Sequence, residues 1–228
     1  MNKPQIKIEV VSDVVCPWCY IGKRRLEKAL DQLKDQFDFD IEYSPFELNP
    51  DMPPEGRKQK EYLTHKFGGE SKYTQVIDHV TNVASGEGLN FDFANQHVSP
   101  NTRSAHRLIW FAKTKGKHLE TKEALMKAYF EQGIDLSKKE NLVKVAVRVG
   151  LNEEEVIALL ESEKGLAEVT FAEQTNYQRG ITGVPFYIIN NKYGISGAQP
   201  AEAFVDALTN IGGEVTLGEA CDVDKTNC

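Results

Sequence analysis

The feature that most restricts this chain is a cysteine pair, Cys16-Pro17-Trp18-Cys19, set where a strand pattern gives way to a helical one. Ile6, Ile8 and Val10 alternate with Lys7 and Glu9, and Val11 extends the apolar run, which predicts a strand over 6–11. Ser12-Asp13 ends that pattern. From Pro17 to about Lys34, Tyr20, Ile21, Leu26, Ala29, Leu30 and Leu33 recur at helical spacing, with Lys23, Arg24, Arg25 and Lys28 outside. Phe37, Phe39, Ile41 and Tyr43 then predict a second strand over 37–43. The chain therefore opens as strand, dithiol, helix, strand.

A thiol at the mouth of a helix faces unpaired backbone N–H groups and the positive end of the helix dipole, and both favour a thiolate. Cys16 is expected to be the exposed, ionised nucleophile. Cys19, one turn on, is placed to resolve the mixed disulfide that Cys16 forms. Pro17 is tolerated in the first turn because its missing N–H has no helical partner. Trp18, between the cysteines, is expected to be exposed. Trp18 and Phe46 either rim the site for substrates or belong to the core.

The middle of the chain reads differently. Asn49-Pro50-Asp51-Met52-Pro53-Pro54 breaks regular structure, and from Glu55 to about Glu161 the pattern is helical throughout. Helices are expected over 56–67, 71–84 and 120–131, with another after Ser99-Pro100 that has Pro100 in its first turn. Capping boxes at Ser137-x-x-Glu140 and Asn152-x-x-Glu155 open two more. Strand character returns at 184–189. Asn190-Asn191 turns the chain into a hairpin through Ser196, and a helix runs from Pro200 to about Leu208. The implied units are 1–50 with 163–212, an inserted helical domain at 51–162, and a flexible tail at 213–228. Pro185 opens the late strand. An X–Pro bond there, if cis, leaves the Val184 carbonyl and N–H free to pair with an extended substrate.

Several blocks together resemble the DsbA-like branch of the thioredoxin superfamily, and within it the FrnE subgroup. They are Ser12 to Cys19, Phe46-Glu47-Leu48-Asn49-Pro50, Asn101 to Leu108, Gly183-Val184-Pro185-Phe186-Tyr187 and Gly197-Ala198-Gln199-Pro200. The resemblance implies an α/β thioredoxin-like fold with an all-helical insertion. It also implies disulfide exchange at Cys16 and Cys19, a cis-proline at Pro185, and substrate contacts from Val184, Pro185, Pro17 and Trp18. The same superfamily holds kappa-class glutathione transferases and 2-hydroxychromene-2-carboxylate isomerases, which carry serine at the first cysteine. Having both cysteines favours redox chemistry here. A glutathione-dependent transferase or isomerase, and a redox-regulated holdase, are the rival readings. No bound cofactor is expected; glutathione or a partner dithiol would complete the cycle. Substrates would be thiol- or disulfide-containing proteins or low-molecular-weight thiols, and the chain a monomer or homodimer.

Composition narrows the rest. The 228 residues carry a net charge of -7 without a dense basic stripe, which argues against nucleic acid. No apolar run approaches the roughly 20 residues a membrane helix needs. Lys7 and Glu9 interrupt the start, so it does not read as a secretory leader, and a cytoplasmic location is expected. Four cysteines in a reducing compartment point to redox rather than scaffold use. The second pair, Cys221 and Cys228, is either an incidental tail feature or an accessory disulfide exchanging with the first. Its spacing does not suit zinc, and no metal is expected. The uncharged Pro17-Trp18 dipeptide suggests a pair less oxidising than the strongest members, in a superfamily spanning about -270 to -120 mV. Asp13 either ends the strand in a turn, the preferred reading, or helps move the Cys19 proton. His106 is either packed, again preferred, or stabilises a thiolate from a helix facing the groove. Gly86 and Gly88 read as a connector.

Overall fold

The computed structural model describes residues 3–223. Its centre is a four-stranded mixed sheet, β2-β1-β5-β6, built from β1 (Gln5–Ser12), β2 (Asp38–Pro45), β5 (Phe186–Ile189) and β6 (Tyr193–Ser196). β1 runs parallel to β2, Gln5 opposite Asp38, and antiparallel to β5, Ile8 opposite Ile189. The parallel pair needs a crossover, which α1 (Pro17–Leu33) supplies. Ile6, Ile8 and Val10 point to one face, where Leu26, Ala29 and Leu33 of α1 meet Phe204 and Leu208 of α9 (Ala201–Val223). Each isoleucine, leucine, valine or phenylalanine side chain taken from water there contributes about 1.5–3 kcal/mol.

Between β2 and the returning helix α8 (Leu166–Gln178) lie α2 (Gln59–Phe67), α3 (Glu70–Gly86), α4 (Arg103–Lys113), α5 (His118–Gln132), α6 (Lys139–Arg148) and α7 (Glu153–Glu161). Leu108, Leu125, Met126, Phe130, Leu142, Val156 and Leu159 form their common core. Tyr20 and Ile21 of α1 join that core, whereas Leu26 and Leu33 join the sheet core. The first turn of α1, with the dithiol, therefore packs into the helical core, and the rest of the helix packs onto the sheet.

Four expectations need correction. The middle region is not purely helical: β3 (Arg57–Lys58) pairs antiparallel with β4 (Val98–Ser99). Pro100 does not enter α4. The residue before a proline is driven toward extended backbone, so Ser99 ends a strand, and Asn101 Oδ1 instead receives the Arg103 N–H at 3.0 Å. Ser137 does not cap α6. Its N–H and hydroxyl both donate to Asp135 Oδ1, at 2.9 and 2.6 Å, and the helix starts at Lys139. Asn152 does cap α7, receiving the Glu155 N–H at 2.9 Å. Finally, α9 does not stop near Leu208 but runs to Val223. Gly212 is not a breaker there: a Cβ would meet the Phe37 ring at 2.2 Å, so its bareness lets the helix lie close. The expected tail is therefore helical as far as 223. The Cys221 side chain and all of Cys228 lie outside the described residues.

Candidate active site

Cys16 is the N-cap of α1, in extended conformation, and Pro17 fills the first turn. The chain reaches it through a turn in which the Cys16 N–H donates to Asp13 O at 3.3 Å. The Val184–Pro185 bond is cis, and the Cys16 thiol points at the Val184 carbonyl, Sγ to O 3.7 Å. β5 begins two residues later than expected, at Phe186, so Val184 and Pro185 precede the strand. Cys16, Pro17, Trp18 and Val184 form one wall of a groove of about 280 Å³, and Leu63, Phe67 and Ile77 of α2 and α3 form part of the other. This cover corrects the expected exposure. Cys16 and Cys19 are both free thiols, each 3% exposed. Trp18 is half-buried, its ring 5.8 Å from His79, while Phe46 is core, its ring tilted against that of Tyr177.

The charge in the pair also differs from expectation. A hydrogen bond to Cys19, burial and the neighbour's charge push Cys16 well above the ordinary thiol range, although the Cys19 amide works the other way. Burial opposes ionisation of Cys19 too, but hydrogen bonds from the Cys16 thiol and Ser12, together with the Lys122 charge, bring it below that range. The two buried thiols titrate as a coupled pair. Ionisation is eased at Cys19, first by the Cys16 hydrogen bond and then by the cation of Lys122, and opposed at Cys16.

That cation was not singled out from sequence. Lys122, on α5, is 1% exposed, and its ammonium donates to Ser12 Oγ at 2.7 Å and lies 4.9 Å from the Tyr43 ring centre. Burial pushes it down to about 8 against the pull of Cys19 and Asp13. The adjoining Glu123 fixes the register of α5 on α1: it pairs with Lys23 and Arg24 and receives the Tyr20 hydroxyl at 2.7 Å. The signal was present in the helical phase, since Lys122 shares a stripe with Leu125, Met126 and Tyr129.

Asp13 is fully buried and does more than end a strand. Its carboxylate receives the Leu48 N–H at 2.9 Å and the Val15 N–H at 3.4 Å. His106 Nε2 approaches Oδ1 at 3.4 Å, close enough for electrostatic attraction but poorly aligned for a hydrogen bond. Burial would raise Asp13, and these partners with Lys122 hold it below the usual carboxylate value. His106 thus leans on Asp13 rather than on a sulfur, and it lines a separate cavity rather than the groove.

Two more buried acids stand near Asp13. Glu47 pairs with Arg103 at 2.8 Å, and Glu173 on α8 is pushed up to about 7 by burial and by the Glu47 charge. A carboxyl that ionises later when folded loses stability as pH rises from its unfolded value through about 7. Glu173→Gln is therefore expected to raise stability by about 1–2 kcal/mol above pH 7, discounted for partial solvent screening, and to leave it unchanged near pH 4. Denaturant unfolding at both pH values measures this; equal effects at the two would rule the acid out as the cause.

A sheet flanked by helices, a dithiol at a helix mouth and a facing cis-proline define a thioredoxin-fold protein with a redox-type cysteine pair. Residues 7–209 match the DsbA-like thioredoxin domain, and the chain belongs to that family of thiol–disulfide oxidoreductases. It is 35% identical to a probable DsbA oxidoreductase from Streptomyces coelicolor, with a TM-score of 0.84 over 92% of this chain and 91% of that one. An uncharacterised Bacillus subtilis protein, YwbO, is 28% identical over 206 residues, 90% of this chain and 96% of its own. The cytosolic disulfide reductase DsbM from Pseudomonas aeruginosa, solved with GSH, shares the fold at 14% identity and a TM-score of 0.65, over 90% and 98% of the two chains. Among the described residues, no helix is long and apolar enough to cross a membrane and no group of side chains is arranged to hold a metal.

Proposed function

We propose that this protein is a cytoplasmic dithiol oxidoreductase that exchanges disulfides with thiol-containing proteins or low-molecular-weight thiols. The observation carrying this reading is the Cys16 thiol at the head of α1, aimed at Val184 O beside it on the groove wall, with a hydrogen-bonded partner thiol behind it. As a substrate disulfide enters, the proton shared by the pair moves to Cys19, and the Cys16 thiolate attacks one substrate sulfur. A Cys16–substrate disulfide forms and one substrate thiolate leaves, taking a proton from solvent. Cys19, losing its proton, then attacks Cys16 Sγ and displaces the second thiolate. The substrate gains two electrons and two protons, and the enzyme closes Cys16–Cys19. Glutathione or a partner dithiol reverses the last step. Pro17, Trp18 and Val184 line the groove that takes the incoming disulfide, with Pro185 following Val184 in the chain. The hydrogen-bonded pair favours this cycle over glutathione-dependent transfer or isomerisation, which needs no second thiol, and over a holdase, which needs neither. Equilibrating the protein with glutathione buffers and resolving the Cys16–Cys19 state by mass tests it. A two-electron transition within the glutathione range supports the proposal; no disulfide at any poise removes it.

A further inference from the structure

The groove reaches the dithiol from one side, and a second cavity that shares no lining residue with it reaches Lys122 from the other. The groove holds Cys16 and not Cys19. The second cavity, about 230 Å³, lies between β2, α4, α5 and α8; buried Lys122 and His106 line it, and exposed Glu42, Lys113 and Glu168 stand at its edge. Ile109, Val169 and Ala172 make apolar stretches of its wall. Lys122 thus bridges two environments: its ammonium reaches Ser12 beside Cys19, and the residue also borders the rear cavity.

Resting on the dithiol reading above, we propose that Lys122 positions and drains the proton of Cys19, passing it to water in the rear cavity while the substrate occupies the groove. The difficulty it resolves is physical. Once Cys16 is bound to substrate, the groove is filled and the inner thiol has no exit for its proton on that side. Lys122 gives a proton to cavity water and takes the Cys19 proton in its place. The net change is Cys19 thiol to thiolate, with one proton delivered to solvent. The resulting ammonium holds the thiolate until it attacks Cys16 Sγ. The 2.7 Å bond to Ser12 Oγ fixes the amine, and Glu123, held by Lys23 and Arg24, fixes its helix.

Other charged groups face this pair. Asp13 and the Cys16 sulfur favour the ammonium, and Lys23 disfavours it. The Tyr43 ring covers it, and Glu9, Glu42, His106, Lys113, His118 and Glu168 face the cavity from the strands and helices around it. Lys113 is paired with Glu42 and Arg179 with Glu9, so much of the rim charge is already compensated.

The test uses full-length protein with Cys221 and Cys228 changed to serine. In a Cys16→Ser background, the ultraviolet absorbance of the Cys19 thiolate is titrated without substrate. Lys122→Met is expected to move its midpoint up by about one pH unit or more, and Lys122→Arg to restore most of the difference. With Cys16 intact and charged with a small disulfide, closure of the Cys16–Cys19 bond is expected to slow about tenfold at neutral pH in Lys122→Met and to recover at alkaline pH. Ala172→Phe, which fills the rear cavity, is expected to slow closure severalfold with no movement of the thiolate midpoint. An unmoved midpoint in Lys122→Met overturns the role of Lys122. Unaltered closure in both Ala172→Phe and the milder Ala172→Leu overturns the rear route. A wild type that closes no disulfide, yet shows the titration shift, fails the proposed function and leaves the link between Lys122 and Cys19 standing.

Discussion

Cys19→Ser is expected to stop the cycle halfway. Offered a small disulfide, this variant gains the mass of one substrate half on Cys16 and keeps it, because no neighbouring thiolate is present to displace it. Steady-state turnover falls by about a thousandfold or more, an alcohol being a far weaker nucleophile than a thiolate at neutral pH. Cys16→Ser loses turnover to the same degree but gains no adduct. Its remaining site thiol, Cys19, is 3% exposed and does not border the groove. The asymmetry between the two variants is the informative result, since either loss alone follows from any damage to the site. Intact-protein mass, with Cys221 and Cys228 already replaced, reads it directly. A Cys19→Ser protein that turns over at the wild-type rate without an adduct would favour the single-thiol, glutathione-dependent chemistry instead.

What was legible in the sequence, and what was not, divides along a physical line. The dithiol, the strand before it and the helix after it are local features. Each is written in adjacent residues, and each lies where the pattern put it. The opposed Val184–Pro185 was recognised through a resemblance, because nothing local joins residue 16 to residue 184. The expected exposure of Cys16 failed for the complementary reason: the groove it borders is walled by α2 and α3 side chains that only the fold brings there. The same distance hid the charge balance. Helix-mouth amides favour a Cys16 thiolate in any chain of this kind, and one does so here, yet the hydrogen bond to Cys19 and burial outweigh it, and a lysine more than a hundred residues later adds its pull on Cys19. Lys122 and Glu173 were still detectable in principle. Each sits in phase with an apolar stripe, Leu125 and Met126 for one and Val169 for the other, where a solvated charge would be out of place. Ser137 shows the opposite error. Its capping pattern was complete in sequence, but Asp135, two residues earlier, took both donors.

Gly22→Ala is expected to damage stability and turnover together, and it examines how α1 is held against the cis-proline. Gly22 lies in α1, one turn past Cys19, facing the sheet. An added Cβ would stand 2.3 Å from the Tyr187 hydroxyl, 3.2 Å from Pro185 Cγ and 3.3 Å from Ala198 Cβ. The tyrosine cannot simply swing aside. It is 1% exposed, and its ring packs edge-on against Phe204 with centroids 4.8 Å apart. Relief must therefore come from separating α1 and β5, which carry the two halves of the site. Alanine favours a helix over glycine by about 1 kcal/mol, and overpacking costs about 1–3 kcal/mol, so a net loss of up to about 2 kcal/mol is expected. In a chain of this length that lowers the melting midpoint by up to about 8 °C. The functional loss should exceed the stability loss. Moving Pro185 also moves Val184 O away from the 3.7 Å contact with Cys16, and kcat/KM is expected to fall about tenfold at temperatures where the variant is fully folded. Gly213→Ala in α9 is the matched control, because its Cβ would meet nothing within 4 Å. That change should raise stability by about 0.5–1 kcal/mol and leave turnover alone. If Gly22→Ala behaves like the control, the helix and the proline loop are not in the close contact described, and the alignment of Cys16 with Val184 must be set by something else.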